Sequence, residues 1–184
     1  TPLTSYGAQK ACGELLLADF TRKGFVDGVG IRLPTVSVRP GTPNKAASGF
    51  FSGIIREPLA GLSANCPVEP SVRHWVASPR SAVGFLVHAA GVDGARVGPR
   101  RNLTMPGLCV SVGEMVDTLR AIAGDRVADR VTWEPDEFVR GIVAGWPQNF
   151  DDARARSLGF VADASFADIV RAHIEDELGG AFDA

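Results

Sequence analysis

The stretch from Tyr6 to Pro34 most narrowly limits what this chain can become. Ala8, Ala11, Cys12, Leu15, Leu16 and Phe20 recur at helical spacing, so the residues from about Tyr6 to Lys23 predict a helix with one apolar stripe. Gly24 stops it, because glycine enters the left-handed C-terminal turn without a steric penalty. Val29-Gly30-Ile31-Arg32-Leu33 then reads as a short buried strand, closed by Pro34. A helix that feeds directly into such a strand is the rhythm of an α/β sheet.

The rest of the chain continues that rhythm less clearly. Val38 to Lys45 is a loop rich in turn residues. Ser48 to Arg56 predicts a helix that closes near Pro58 and Gly61, and Pro67 to Val76 reads as irregular or weakly extended. Ser78-Pro79 caps a helix reaching about Ala90, with proline at its first position. A strand is expected near Asn102 to Met105, and another over Val131 to Glu134. Ser111-Val112-Gly113-Glu114 is a capping box ahead of Met115, Val116 and Leu119. Short helices are expected from Asp136 and from Asp151, the latter ending at Leu158-Gly159. The last helix starts at Ser165 and turns Phe166, Ile169, Val170 and Ile174 inward.

Composition removes several classes of function. The 184 residues suffice for one domain with a sizeable core. A net charge of −2 gives no general attraction to nucleic acid or to an anionic membrane. No apolar run approaches the length of a membrane span. Cys12, Cys66 and Cys109 are far apart and odd in number, which suits the reduced thiols of a cytoplasmic protein. His74, His88 and His173 are equally dispersed, so no metal-ligand spacing appears. The chain opens on Thr1 and runs straight into its first helix, which is the pattern expected of a fragment.

Tyr6 and Lys10 carry the chemistry. Residues four apart share one helix face. An ammonium beside a phenol favours the phenolate, which can take a proton from an alcohol or return one to a carbonyl. Taken alone, the spacing also fits an exposed lysine beside a half-buried tyrosine. The glycines between Gly91 and Gly98 are read as a surface turn, since they follow a helix and precede a strand, the reverse of a dinucleotide fingerprint. Gly41 to Lys45 lacks the second glycine and hydroxyl of a phosphate loop. The serine of Gly49-Phe50-Phe51-Ser52-Gly53 is one place late for a nucleophile elbow. Arg39, Arg73 and Arg80 adjoin loop residues and could grip a carboxylate or phosphate, or form structural ion pairs. Asn44 could hydrogen-bond a polyol or shape its turn. Trp75, Trp133 and Trp146 are read as packing residues.

The order of these parts resembles the extended short-chain dehydrogenase/reductases, relatives of the NAD-dependent nucleotide-sugar epimerases. Ser5-Tyr6-Gly7-Ala8-Gln9-Lys10 is followed by Arg32-Leu33-Pro34-Thr35, Val38-Arg39-Pro40-Gly41-Thr42-Pro43-Asn44-Lys45 and Gly145-Trp146-Pro147. Arg73-His74-Trp75-Val76 is similar to the family's Arg-Asp-Tyr-Ile segment, and Leu158-Gly159-Phe160 to its late Leu-Gly-Trp/Phe turn. The resemblance implies the second half of a Rossmann-type doubly wound α/β sheet, with a smaller C-terminal α/β part that binds substrate. Residues 1–45 would complete the NAD-binding domain, and residues 46–184 would mainly bind substrate, with some segments returning to the Rossmann sheet.

The resemblance also implies roles. Tyr6 would be the general acid/base, and Lys10 would favour its phenolate and hydrogen-bond the nicotinamide ribose. Pro34, Thr35 and Val36 match the segment lining the nicotinamide end of NAD, where Thr35 replaces an asparagine common in the epimerases. Arg73 matches a phosphate-gripping arginine, and in a sugar-acid enzyme it or Arg80 would hold the carboxylate. Arg80 stands where the family often has aspartate. The expected substrate is a small sugar acid, D-erythronate first, with a nucleotide sugar or a non-catalytic regulatory role as alternatives. A homodimer paired through the Tyr6-Lys10 helix is a further expectation. The family's glycine-rich turn and catalytic serine or threonine lie upstream of these motifs, so the 184-residue piece alone is expected not to bind NAD productively. Tight stoichiometric binding in a calorimetric titration would contradict that.

Overall fold

The computed structural model describes residues 2–42 and 46–182. The chain divides into two compact units, one of Thr1–Leu33, Val83–Pro106 and Asp151–Val161, the other of Pro34–Ala82, Gly107–Phe150 and Ala162–Ala184.

The first unit begins with α1 (Ser5–Arg22), whose N-cap Thr4 accepts a hydrogen bond from the Gly7 amide at 3.0 Å. The Gly24 expectation holds, with φ at 78°. Strand β1 (Gly30–Arg32) pairs in parallel with β5 (Asn102–Thr104), Gly30 opposite Asn102. A Cβ on Gly30 would lie 2.0 Å from the Asn102 Oδ1, so a larger residue there would force the Asn102 side chain to turn away. Arg101, 5% exposed, ties the unit together by donating to the carbonyls of Gly28, Gly94 and Gly98 and pairing with Asp27. Arg154 of α8 (Ala153–Ser157) donates to the Asn102, Val97 and Arg100 carbonyls. These guanidiniums supply donors to backbone carbonyls lying mostly in the irregular stretches around β1, α4 and β5. The glycine series expected to be a plain turn instead holds a short helix, α4 (Gly94–Val97), because the Asp93 side chain caps it at the Ala95 amide.

The second unit is built on a sheet in the order β2 (Thr35–Val36), β4 (Arg73–Ala77), β6 (Leu108–Ser111). β2 runs parallel to β4, and β4 runs antiparallel to β6. A separate parallel pair joins β3 (Ala64–Cys66) to β7 (Val131–Trp133). The core collects Phe51, Ile54, Ile55 and Leu59 of α2 (Phe50–Leu59), Met115 and Leu119 of α5 (Val112–Ala123), and Ile169 and Val170 of α9 (Phe166–Glu177). The expected capping box at Ser111 and Glu114 is formed. The short α6 (Asp125–Ala128) follows α5, and α7 (Glu137–Ala144) is capped by Asp136.

Two expectations need correction. Within the stretch expected to be irregular or weakly extended, Arg73–Ala77 is the central strand β4. His74, Trp75, Val76 and Ala77 are all buried, so the strand shows no in-out alternation. The helix expected over Ser48 to Arg56 is a 3-10 turn (Ala47–Gly49) followed by α2, which carries Pro58 inside its final turn. β6 follows Gly107 closely and is too short to show a period. The helix α3 (Pro79–Gly91) begins as expected. Among the described residues all three cysteines are free, and burial pushes the Cys66 thiol up to about 11. No described helix is long and apolar enough to cross a membrane.

Candidate functional site

Tyr6 and Lys10 lie in the first two turns of α1, in the first unit. The Lys10 Nζ stands 5.3 Å from the Tyr6 ring centroid, within the range of a cation–π contact. Tyr6 is 69% exposed, so the side chain stands at the surface of the unit rather than in its core. The helical spacing alone creates this juxtaposition. Thr4, next to the pair, already uses its hydroxyl oxygen as the helix cap.

Pro34, Thr35 and Val36 belong to the second unit, where Pro34 is buried and the other two are half-buried. Thr35 lies opposite Val76 and Val36 opposite Ala77, and the Ser37 amide continues the ladder to the Ala77 carbonyl at 2.9 Å. The Thr35 Oγ1 is 2.7 Å from the Nε2 of His74. His74 is 6% exposed and stacks on Phe51, with ring centroids 4.3 Å apart and planes 7° apart. Trp146 packs on the same imidazole at 5.4 Å. Burial pushes the His74 pKa down to about 4, so the ring is neutral at pH 7. Its Nδ1 is buried without a hydrogen-bond partner. Sequence reasoning passed over His74 except as a substitute for an aspartate. The signal available was a histidine inside an apolar run.

The chain after β2 is tightly determined. Val38 is fully buried with φ at 56°, a conformation β-branched residues rarely adopt. It is pinned on both sides: Ser37 Oγ donates to the Phe51 carbonyl at 3.1 Å, and the Arg39 amide donates to Ser52 Oγ at 3.2 Å. Arg56 donates to the Arg39 carbonyl and pairs with Glu57. Asn44 lies outside the described residues.

The two remaining arginines are both engaged. Arg73 donates to the Cys109 carbonyl at 2.7 Å and stands 3.4 Å from Glu114. It also lines a cleft of about 530 Å³ with Glu69, Glu137, Arg140 and Gln148. Arg80 grips Asp176 through two hydrogen bonds, of 2.7 and 2.6 Å, and reaches Glu175 at 2.9 Å. Those bonds hold the Asp176 carboxyl below its ordinary range. Among the described residues no group of three or more histidine, cysteine, aspartate or glutamate side chains is placed to hold a metal ion.

No family model matches the chain. Individual relatives do. Over 175 residues it is 55% identical to a protein of Cupriavidus necator named D-erythronate dehydrogenase, covering 95% of this chain and 54% of that protein. A protein of the same name from Haemophilus influenzae is 42% identical over 178 residues, covering 97% and 56%. The chain thus spans about half the length of the curated relatives it matches. A crystal structure described as a nucleoside-diphosphate-sugar epimerase, from Agrobacterium tumefaciens, superposes with a TM-score of 0.96 at 58% identity. That match covers 98% of this chain and 53% of the solved one.

Over nearly its whole length the chain is thus similar to dehydrogenase and epimerase relatives, which bears out its resemblance to the NAD-dependent epimerase/dehydratase family. The fold extends to structures of lower identity. The L-threonine 3-dehydrogenase of Trypanosoma brucei superposes over all of this chain and 57% of its own, with a TM-score of 0.84 at 21% identity. The parallel β1–β5 pair beside α1 is accordingly a piece of the family's Rossmann-type α/β sheet.

Proposed function

We propose that the protein carrying this chain is an NAD-dependent oxidoreductase that oxidises D-erythronate, next to its carboxylate, to the 2-oxo acid. The observation that carries the reading is the exposed Tyr6 side chain on the helix face that also presents the Lys10 ammonium. The relatives named D-erythronate dehydrogenase support the substrate. In this mechanism the Tyr6 phenolate removes the proton of the substrate hydroxyl, and Lys10 favours that phenolate and binds ribose hydroxyls. NAD, when bound, accepts the hydride. Pro34, Thr35 and Val36 line its nicotinamide end, and Arg73, Arg80 and Asn44 are the substrate-side candidates. Residues 1–45 would then complete the cofactor domain, and 46–184 would mainly serve the substrate. The pairing of β5 with β1 supports a return of later segments to the cofactor sheet.

The test uses the full-length protein. D-Erythronate should yield stoichiometric NADH, and Tyr6→Phe should abolish turnover while leaving NAD affinity largely intact. A Tyr6→Phe protein with normal turnover refutes the role. The second reading, a nucleotide-sugar epimerase, is favoured by the description of the Agrobacterium structure. Interconversion of UDP-sugars without net NADH would select it. We also propose a cytoplasmic homodimer paired through α1, which exposes Leu15, Leu16 and Phe20. Sedimentation of a monomer at micromolar concentration would refute the pairing.

A further inference from the structure

We propose that His74 is a positioning residue: it donates Nε2–H to the Thr35 hydroxyl oxygen and thereby commits the Thr35 proton, as a donor, to the substrate carboxylate. The inference rests on the dehydrogenase reading for the identity of the acceptor, but not for the direction of the hydrogen bond.

The direction follows from the two imidazole nitrogens. The 2.7 Å contact between Thr35 Oγ1 and His74 Nε2 permits either group to donate. A neutral ring carries one N–H and one bare nitrogen, and here only Nε2 has a partner. If Nε2 accepted from threonine, the ring proton would sit on Nδ1, a buried donor with nothing to receive it. If Nε2 donates, Nδ1 is a buried bare acceptor. Orphaned buried donors are the rarer and costlier defect. A second proton gives the ring no escape, since it would create that same buried Nδ1–H donor on a ring that burial keeps neutral. Nε2–H toward Thr35 is therefore the favoured arrangement.

Thr35 then has one remaining role. Its oxygen is occupied by the imidazole proton, and among the described residues its hydroxyl has no second partner. Its proton points to whatever approaches the half-buried strand β2. In a 2-hydroxy acid the carboxylate carbon is bonded to the carbon that loses hydride, so a residue at the nicotinamide end faces that carboxylate. Both arginines described above already commit donors, Arg80 to Asp176 and Glu175, and Arg73 to the Cys109 carbonyl. A neutral, fixed hydroxyl donor beside the reacting carbon rewards a carboxylate and leaves a group without acceptors unpaired.

Two measurements decide the matter. Nitrogen-15 NMR of histidine-labelled protein assigns the three histidines by the loss of one signal set in His74→Gln. His74 should be neutral with the proton on Nε2, and that proton should shift in Thr35→Val. An Nδ1-protonated ring, or no response to Thr35→Val, overturns the proposal whether or not the protein is a dehydrogenase. In the full-length enzyme, Thr35→Val should lower kcat/KM for D-erythronate roughly 10- to 100-fold, the scale of one hydrogen bond to a charged group. His74→Phe keeps the stack on Phe51 and should lose as much. His74→Gln, whose amide can donate, should recover most of it. A merely structural role predicts the opposite order, with phenylalanine tolerated and glutamine not. The double variant Thr35→Val/His74→Phe should be no worse than either single one. No oxidation of D-erythronate by the unaltered protein sinks the functional reading instead, and the tautomer result still judges this one.

Discussion

Asp163 is the side chain whose removal should cost the second unit most for its size. Its carboxylate receives the Ser78 amide at 2.8 Å, the Ser78 hydroxyl at 2.6 Å and the Ser81 hydroxyl at 2.9 Å. Ser78 is completely buried and is itself the cap of α3, accepting from the Ser81 amide at 3.0 Å. In Asp163→Ala the Ser78 amide loses its acceptor where water cannot replace it, at about 1–3 kcal/mol. The Ser78 hydroxyl loses a charged partner, a bond worth about 1.5–3 kcal/mol. The half-buried Ser81 hydroxyl can turn to solvent and adds little. Removing an anion from a helix N-terminus adds about 0.3–1 kcal/mol. Allowing for overlap among these, the expected loss is about 3–4 kcal/mol. Asp163→Asn keeps one acceptor for the amide and should lose about half as much. Urea unfolding followed by circular dichroism measures both, with an unchanged slope against denaturant. A loss below about 1 kcal/mol for Asp163→Ala would refute the claim that this carboxylate secures the α3 start.

Three further outcomes follow from other sites. Because the folded His74 titrates near 4 rather than its ordinary 6.5, the unfolded chain binds the extra proton first; stability is therefore full above pH 6.5 and declines down to about 4. The whole interval is worth about 3 kcal/mol at about 1.4 kcal/mol per pKa unit, and stability curves of His74→Gln should be flatter across it, while no flattening would contradict the burial argument. A Cβ at Gly107 would lie 2.7 Å from the Trp75 Nε1 and 2.9 Å from the Val76 carbonyl oxygen, so Gly107→Ala should destabilise by about 1–3 kcal/mol in calorimetry. Val38→Gly should be no more damaging than Val38→Ala, because glycine relieves about 1 kcal/mol of left-handed strain; a clearly worse Val38→Gly would show that φ is not the issue.

The sequence was most legible where the signal is local. Gly24 and the Ser111 capping box announce their helix ends because each depends on a few adjacent residues. Tyr6 and Lys10 were legible for the same reason, since one helix turn brings them together. β4 was not legible: its strand state depends on partners on both sides, and burial on both faces removes alternation. β2 consists of two residues that become a strand only against β4. The Thr35–His74 contact joins residues 39 positions apart, and no spacing rule reaches that far. Asp163, 85 positions from Ser78, was invisible for the same reason.

The first helix carries a further consequence. No described residue of α1 is buried, and its polar supports include the Thr4 cap, the ion pairs of Asp19 with Arg22 and Lys23, and the two-point pairing of Glu14 with Arg32 of β1. The proposed proton-transfer pair therefore rides on a segment whose persistence depends little on the core. Left uncovered, its amides should trade deuterium within seconds to minutes, well ahead of those in β4. A surface that comes to cover the bare flank of α1 would slow that exchange, hold the phenol still and thereby set how often a proton can be taken.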